Sequence, residues 1–325
     1  MMEAVRLAGL RCCIIAADSD PGAPGLYRAD VGVVLPRGDT AEYVDEVVRV
    51  CRRYKVDAVL VGSDAEVLTI ARAKELVERE TGAKVLVSPP EVTAICCDKW
   101  ITAQFFQTHD LRHPDTFLPP GSGEWAFNGQ LAFPVVIKPR FGTGSQDIFI
   151  VNDVSELSVF LRRVKDPIIQ EFVEGDEYTA GLVRTADGEV LGPITMRREL
   201  KAGSTYRAWV GEYPDIREEV LRIVDALKPL GPCNVQLRKT KKGVVALEIN
   251  PRFSSSTVIK ARYGLNEPEL TLKTLVLAES VAPPKLTRGV ALRYWNEVYV
   301  PSEIYHTLET NREYVEPRSD VLPYF

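Results

Sequence analysis

Residues 246–256 read ALEINPRFSSS, and their alternation decides how the second half of the chain folds. Successive side chains in a strand point to opposite faces, so Leu247 and Ile249 share one face while Glu248, Asn250 and Arg252 lie on the other. One face is apolar; the other carries a carboxylate, an amide and a guanidinium. Just upstream, CNVQLR (233–238) and VVALEIN (244–250) flank the polar turn KTKKG (239–243), which predicts a β-hairpin. With the loop at 239–243, Arg238 faces Val244, and Gln236, Glu248 and Asn250 fall on one sheet face. Such oxygen donors suit Mg²⁺, which takes few protein ligands beside substrate phosphates. A solvated outer strand face is the plainer alternative. Pro251 and Arg252 tilt the reading toward a site.

Earlier segments show two kinds of organisation. Over residues 1–90, short apolar strands (CCIIAA, DAVLV, KVLVS) alternate with helices predicted over about 40–54 and 65–80. Val44, Val47, Val48 and Cys51 follow the helical spacing, and Asp39 with Glu42 resembles a capping arrangement. This predicts an open α/β layer with parallel strands. Pro89 and Pro90 mark a boundary. Beyond it come a helix over about 98–107, strands FPVVIKPR and DIFIV, a helix over about 154–164 and strand PIIQEF. EYTAGLVR and EVLGPITM then form a predicted hairpin around 186–188, followed by a helix over about 215–228. That half reads as α+β.

The chain has 325 residues, 45% hydrophobic and 26% charged, enough for two or three compact units and contrary to general disorder. A formal charge of −5 disfavours nucleic acid as the main partner, since phosphate backbones reward clustered Lys and Arg. The apolar run 12–17 is far shorter than the ~20 residues of a membrane helix. Six cysteines without a C-x-x-C pair read as buried thiols of a reducing cytosol.

VVIKPRFGTGSQ (135–146) ends a predicted strand at Lys138 and enters a glycine-containing loop. Backbone amides there can approach an anion and the lysine adds a point charge, although a glycine-rich turn explains the pattern equally well. QEFVEGDEY (170–178) reads as a solvated connection, or as a hinge that meets an adenine edge and ribose hydroxyls. His109 and His113 are four apart, but Pro114 and the lack of a third ligand nearby favour a structural role. No nucleophile elbow or Ser/His/Asp constellation supports covalent hydrolase chemistry.

Taken in order, DKW (98–100), VVIKPRFGTGS (135–145), QEFVEGDEY, CNVQL (233–237) and ALEINPRFSSS resemble the ATP-grasp superfamily over about residues 12–280. More narrowly they resemble stand-alone proteins related to the synthetase halves of the carbamoyl-phosphate synthase large subunit. The resemblance implies a Rossmann-like pre-ATP-grasp domain (1–90) lacking its usual first strand, and a two-lobed ATP-grasp domain (91–280, lobes about 91–170 and 171–280). A C-terminal extension (281–325) follows, whose aromatic stretch 293–306 is expected as a strand on the core, with a lid over the acceptor pocket as the alternative. By similarity Lys99 and Lys138 contact nucleotide phosphates, and Gly144 and Ser145 cover them. Glu171 and Val173 meet adenine, Glu177 the ribose, and Lys201 adds a nucleotide contact. Gln236, Glu248 and Asn250 hold Mg²⁺ or Mn²⁺, and Arg252 with Lys138 steadies the transferred phosphoryl group. The implied protein is a cytoplasmic ATP-dependent ligase that activates a carboxylate as an acylphosphate for an amine. Its partners would be those small molecules, with neither nucleic acid nor membrane, and a homodimer as the assembly to test. Phosphorylation of bicarbonate or carbamate, and a nucleotide-binding module without turnover, are the alternatives. Gln146 and Asp147 depart from the basic residue and glycine that relatives commonly carry there.

Overall fold

In the computed structural model, residues 1–119, 132–142, 144, 146–294 and 296–315 are described. The N-terminal unit runs α1 (Met2–Leu7), β1 (Ile15–Asp18), a 3₁₀ turn (Pro24–Tyr27), β2 (Val31–Val34), α2 (Tyr43–Tyr54), β3 (Ala58–Leu60), α3 (Asp64–Thr81) and β4 (Lys84–Leu86). β1–β2 and β3–β4 pair in parallel. All four residues of β2 are buried, and such a strand carries no alternation, which is why the pattern overlooks it. The expected cap at the start of α2 is absent. Asp39 instead accepts from Arg37 at 3.1 Å, and Glu42 occupies the cap position without a side-chain bond. α3 is capped more firmly: Ser63 Oγ accepts from Ala65 N at 3.2 Å and Glu66 Oε1 from Ser63 N at 3.1 Å.

Pro90 begins a helix, where a missing N–H costs nothing. α4 (Pro90–Cys97) and α5 (Lys99–Thr108) lead into the first lobe, which contains β5 (Thr116–Phe117), β6 (Val135–Pro139), β7 (Phe149–Val151), α6 (Val154–Arg163) and β8 (Pro167–Glu171). Its sheet has the order β5-β8-β6-β7 and is antiparallel throughout.

The second lobe comprises β9 (Asp176–Arg184), β10 (Val190–Lys201), β11 (Ser204–Gly211), α7 (Pro214–Leu227), β12 (Gly231–Thr240), β13 (Gly243–Asn250), α8 (Thr257–Arg262), α9 (Glu267–Leu275) and β14 (Gly289–Leu292). The sheet order is β13-β12-β9-β10-β11-β14. Ile216, Val220, Ile223, Val224 and Leu227 of α7 form an apolar stripe in one core cluster with Leu182, Val235, Leu237 and Ile249. Burial of each such side chain stabilises by roughly 1.5–3 kcal/mol, so the sheet face turned to α7 is fixed. Polar residues of β12 and β13 must occupy the other face.

The β12–β13 register differs from the expected one. Arg238 lies opposite Val245 and Lys239 opposite Val244, because the turn is tighter by two residues on the β12 side and by one on the β13 side. A one-residue slip flips the side chains of a strand, but an irregularity between Gln236 and Leu237 restores the phase, so Gln236 faces Glu248 and Asn234 faces Asn250. Gly175, with φ +155°, carries the chain between the lobes against this turn. A Cβ there would lie 2.3 Å from Lys239 O.

The described residues of the stretch 293–306 form no strand. β14 ends before it, and its last residues enter α10 (Ser302–Asn311) behind Pro301. β15 (Glu313–Val315) then pairs antiparallel with β2, so the β1-β2-β15 sheet is mixed rather than purely parallel. Glu313 anchors this return through Arg49 at 2.7 Å and Tyr54 at 3.0 Å.

Candidate functional site

One cleft of about 460 Å³ is lined by both lobes and the N-terminal unit. Lys138 enters from the first lobe, Gln236, Glu248 and Asn250 from the second, and Gly62, Ser63 and Asp64 close one end from the start of α3. Lys99, Gly144 and Arg252 also line it. Ser145 lies outside the described residues.

Lys138 is only 8% exposed, and its ammonium donates to Gln170 Oε1 at 2.7 Å. Burial lowers its pKa to about 8, Glu248 opposing the shift and Lys99 adding to it. Lys99 is the first residue of α5 and donates to Gly142 O at 2.8 Å, which ties the glycine loop to the helix. Asp98 organises this corner. It caps α5 through Trp100 N at 3.0 Å and Ile101 N at 3.3 Å and receives Arg140 Nη2 at 2.6 Å. Asp98→Ala removes both the cap and the partner of Arg140, and we expect about 2 kcal/mol of lost stability. Denaturant titration checks this; an unchanged midpoint would contradict the anchoring role.

Across the cleft the oxygens of the second lobe are graded by what already holds them. Gln236 Oε1 accepts from Arg198 Nη2 at 2.9 Å and Asn250 Oδ1 from Arg252 Nη2 at 3.2 Å. Each retains a second lone pair. Among the described residues no hydrogen bond or ion pair engages the Glu248 side chain. One carboxylate and two amide oxygens on neighbouring strand positions fit a hard cation that shares its shell with a phosphate-bearing ligand. They do not fit a closed all-protein cage, and among the described residues no three His, Cys, Asp or Glu side chains converge.

Arg252 is held from outside its own lobe: Nε and Nη2 donate to the two carboxylate oxygens of Asp64. This pairing pins the planar guanidinium where the N-terminal unit meets the second lobe.

Four expected contacts lie away from the cleft lining. Glu171 is exposed and accepts from Asp115 N at 3.3 Å. Val173 offers its carbonyl to Arg238. Glu177 receives Arg198 Nη2 at 2.8 Å and Arg238 Nη2 at 3.4 Å, so it reaches the cleft only through Arg198. Lys201 ends β10 at a hairpin and sits 5.3 Å above the Tyr206 ring. His109 Nδ1 and His113 Nδ1 face backbone carbonyls at 2.9 and 2.8 Å. Sequence reasoning missed Asp64, Arg198 and Asn234. The Ser63-x-x-Glu66 capping pattern could have located Asp64 at a helix start; Arg198 and Asn234 carry no local signal beyond strand alternation.

Residues 96–256 match the family model of an ATP-grasp domain, and residues 3–86 that of a PylC-like N-terminal domain. The chain is a member of the ATP-grasp superfamily. It is 25% identical over 165 residues to a carbamoyl-phosphate synthase of Methanobrevibacter smithii, covering 50% of this chain and 43% of that protein. It is 24% identical over 194 residues to a D-alanine–D-alanine ligase of Fusobacterium nucleatum, covering 59% and 58%. The chain thus spans about half the length of these curated relatives. Among solved structures, an N5-carboxyaminoimidazole synthetase of Staphylococcus aureus complexed with ADP superposes with a TM-score of 0.71 at 13% identity, covering 89% of this chain and 78% of that one. An L-amino acid ligase of Bacillus licheniformis gives 0.62 at 20% identity, covering 75% and 62%. At such identities the likeness shows the fold: a Rossmann-like domain followed by a two-lobed ATP-grasp domain. No helix among the described residues is long and apolar enough to cross a membrane.

Proposed function

We propose that this protein is an ATP-dependent ligase that activates a carboxylate as an acylphosphate for attack by an amine or another nucleophile. The observation that carries the proposal is the placement of Lys99 and Lys138 in one cleft with Gln236, Glu248 and Asn250. Relatives of both kinds named above, the amino-acid ligases and the carbamoyl-phosphate synthase, support it.

ATP binds as substrate between the lobes, its phosphates meeting Lys99, Lys138 and the loop at Gly142 and Gly144. Gln236, Glu248 and Asn250 would hold Mg²⁺ or Mn²⁺, which when bound neutralises phosphate charge and acts as a Lewis acid. A substrate carboxylate oxygen attacks the γ-phosphorus, the bond to the bridging oxygen breaks, and ADP leaves. The nucleophile then adds to the acyl carbon and expels phosphate. Such chemistry needs positioning and charge neutralisation more than covalent help. Arg252 steadies the transferred group, and Glu177 orients Arg198 against Gln236. Acid and amine substrates, a cytoplasmic setting and a homodimer complete the proposal.

The test is ADP release across a panel of acids and amines that includes bicarbonate. We expect ADP only with the matching acid. ATP bound without release across the panel would replace the ligase reading with a nucleotide-binding module, and release driven by bicarbonate would replace it with a carbamoyl-phosphate-type step.

Lys138 sets a pH dependence. Its folded pKa of about 8 lies below its ordinary value of 10.5, so between these values the unfolded chain binds the extra proton and this residue's contribution to stability rises with pH. Nucleotide affinity runs the other way, because only the ammonium attracts phosphate. We expect ATP to bind about tenfold more weakly at pH 9 than at pH 7, and Lys138→Met to bind weakly at both. An equally steep pH profile in that variant would remove Lys138 from the phosphate site.

A further inference from the structure

The second lobe buries an ion pair that the roles above leave unused. Lys260 of α8 and Glu267 of α9 are both 0% exposed, and Lys260 Nζ donates to Glu267 Oε1. The other oxygen of Glu267 accepts from Thr257 Oγ1 at 2.8 Å. Strand β9 makes room for the pair with Gly181, where a Cβ would lie 2.4 Å from Lys260 Nζ and 2.6 Å from Glu267 Oε1. A desolvated pair of this kind often stabilises no better than apolar side chains of the same volume. Its geometry suggests a different contribution.

An ammonium has three donors and no acceptor. Besides Glu267, Lys260 Nζ reaches Ser254 Oγ at 3.0 Å and Asn234 Oδ1 at 3.4 Å, and both of these residues line the cleft. Lysine can meet only the oxygen end of the Asn234 amide, and the Thr179 hydroxyl donates to that same oxygen at 3.1 Å. The amide is therefore locked with Nδ2 turned away from the pair. Asn234 sits directly opposite Asn250 in the strand register. Ser254 Oγ contacts Ser256 Oγ at 2.9 Å and accepts from Ser256 N at 3.3 Å, so the same ammonium also braces the turn that follows Arg252.

We infer that Lys260, with Glu267 as its counter-ion, is a positioning residue for the cleft. Packed on the cleft face of β9 and β12, beside Gly181 and Asn234, it fixes the Asn234 amide and the 254–256 turn, and so the spacing of the oxygen face from Arg252. The inference rests on the nucleotide-binding reading of that cleft.

The test pairs Lys260→Met/Glu267→Gln, which removes both charges and keeps an acceptor for Thr257, with Gly181→Ala, which keeps both charges but crowds them. Each protein is titrated with a non-hydrolysable ATP analogue with and without Mg²⁺, and its folding is followed by circular dichroism and thermal melting. We expect wild-type secondary structure and cooperative melting in at least one variant, with the Mg²⁺-dependent part of the affinity reduced about tenfold or more and the metal-free part nearly unchanged. A folded variant that binds the Mg²⁺ complex as the wild type does would overturn the inference and leave the pair a packing element. Wild-type protein that binds no analogue with or without Mg²⁺ would instead overturn the reading of the cleft, and the inference with it, before any variant is compared.

Discussion

Glu248→Ala is expected to leave a folded protein whose Mg²⁺-dependent ATP turnover has fallen by about 10²–10³-fold or more, the size of loss seen when one preorganised electrostatic group is removed. The expectation combines two facts. Glu248 is the carboxylate of the oxygen face, directly opposite Gln236, so removing it withdraws a formal negative charge that no amide replaces. Its side chain makes no hydrogen bond or ion pair among the described residues, and the buried Lys138 ammonium that its charge favours keeps Gln170 Oε1 as a partner at 2.7 Å, so truncation costs little stability. Loss of turnover with a retained melting temperature therefore separates a metal-holding role from a structural one. Unchanged turnover in the folded variant would take Glu248 out of the mechanism.

Arg252→Lys should be nearly as damaging despite conserving charge. The guanidinium grips both oxygens of Asp64 and reaches Asn250 Oδ1 at 3.2 Å; a lysine ammonium has no planar fork and cannot make these bonds together. We expect turnover to fall by about 10²-fold while the dissociation constant for Mg²⁺-ATP changes little, because Lys99 and Lys138 still meet the phosphates. Steady-state kinetics beside direct binding measurements check the split. An equal loss in nucleotide affinity would make Arg252 a binding residue instead. Asp64→Asn offers a companion: the amide accepts through one oxygen only, so a milder defect of the same kind is expected.

Much of this site was legible because strand alternation is a local signal. Glu248, Asn250 and Arg252 declared a polar face two residues at a time, and the apolar residues between them declared the face that α7 covers. Even the register error proved harmless, since the irregularity at Gln236 and Leu237 returned the pattern to phase. What escaped the sequence is non-local. β2 is buried on both faces and shows no period. β15 joins the N-terminal sheet from the far end of the chain, and Asp64 reaches Arg252 across 188 positions. The hinge residues illustrate the opposite limit: the resemblance implies nucleotide contacts for Glu171, Val173 and Glu177, and their present partners Asp115, Arg238 and Arg198 are set by tertiary pairing that no local pattern announces. Lys260 and Glu267 were silent for a related reason, because nothing in a helical sequence distinguishes a lysine that snorkels to solvent from one buried against a sheet.

A structure of the protein crystallised with Mg²⁺ and a non-hydrolysable ATP analogue tests the central claim most directly. The account predicts the triphosphate between the lobes, with Lys99 and Lys138 on its oxygens and metal density bounded by Gln236, Glu248 and Asn250. Nucleotide bound elsewhere, or metal density remote from those three side chains, would contradict it.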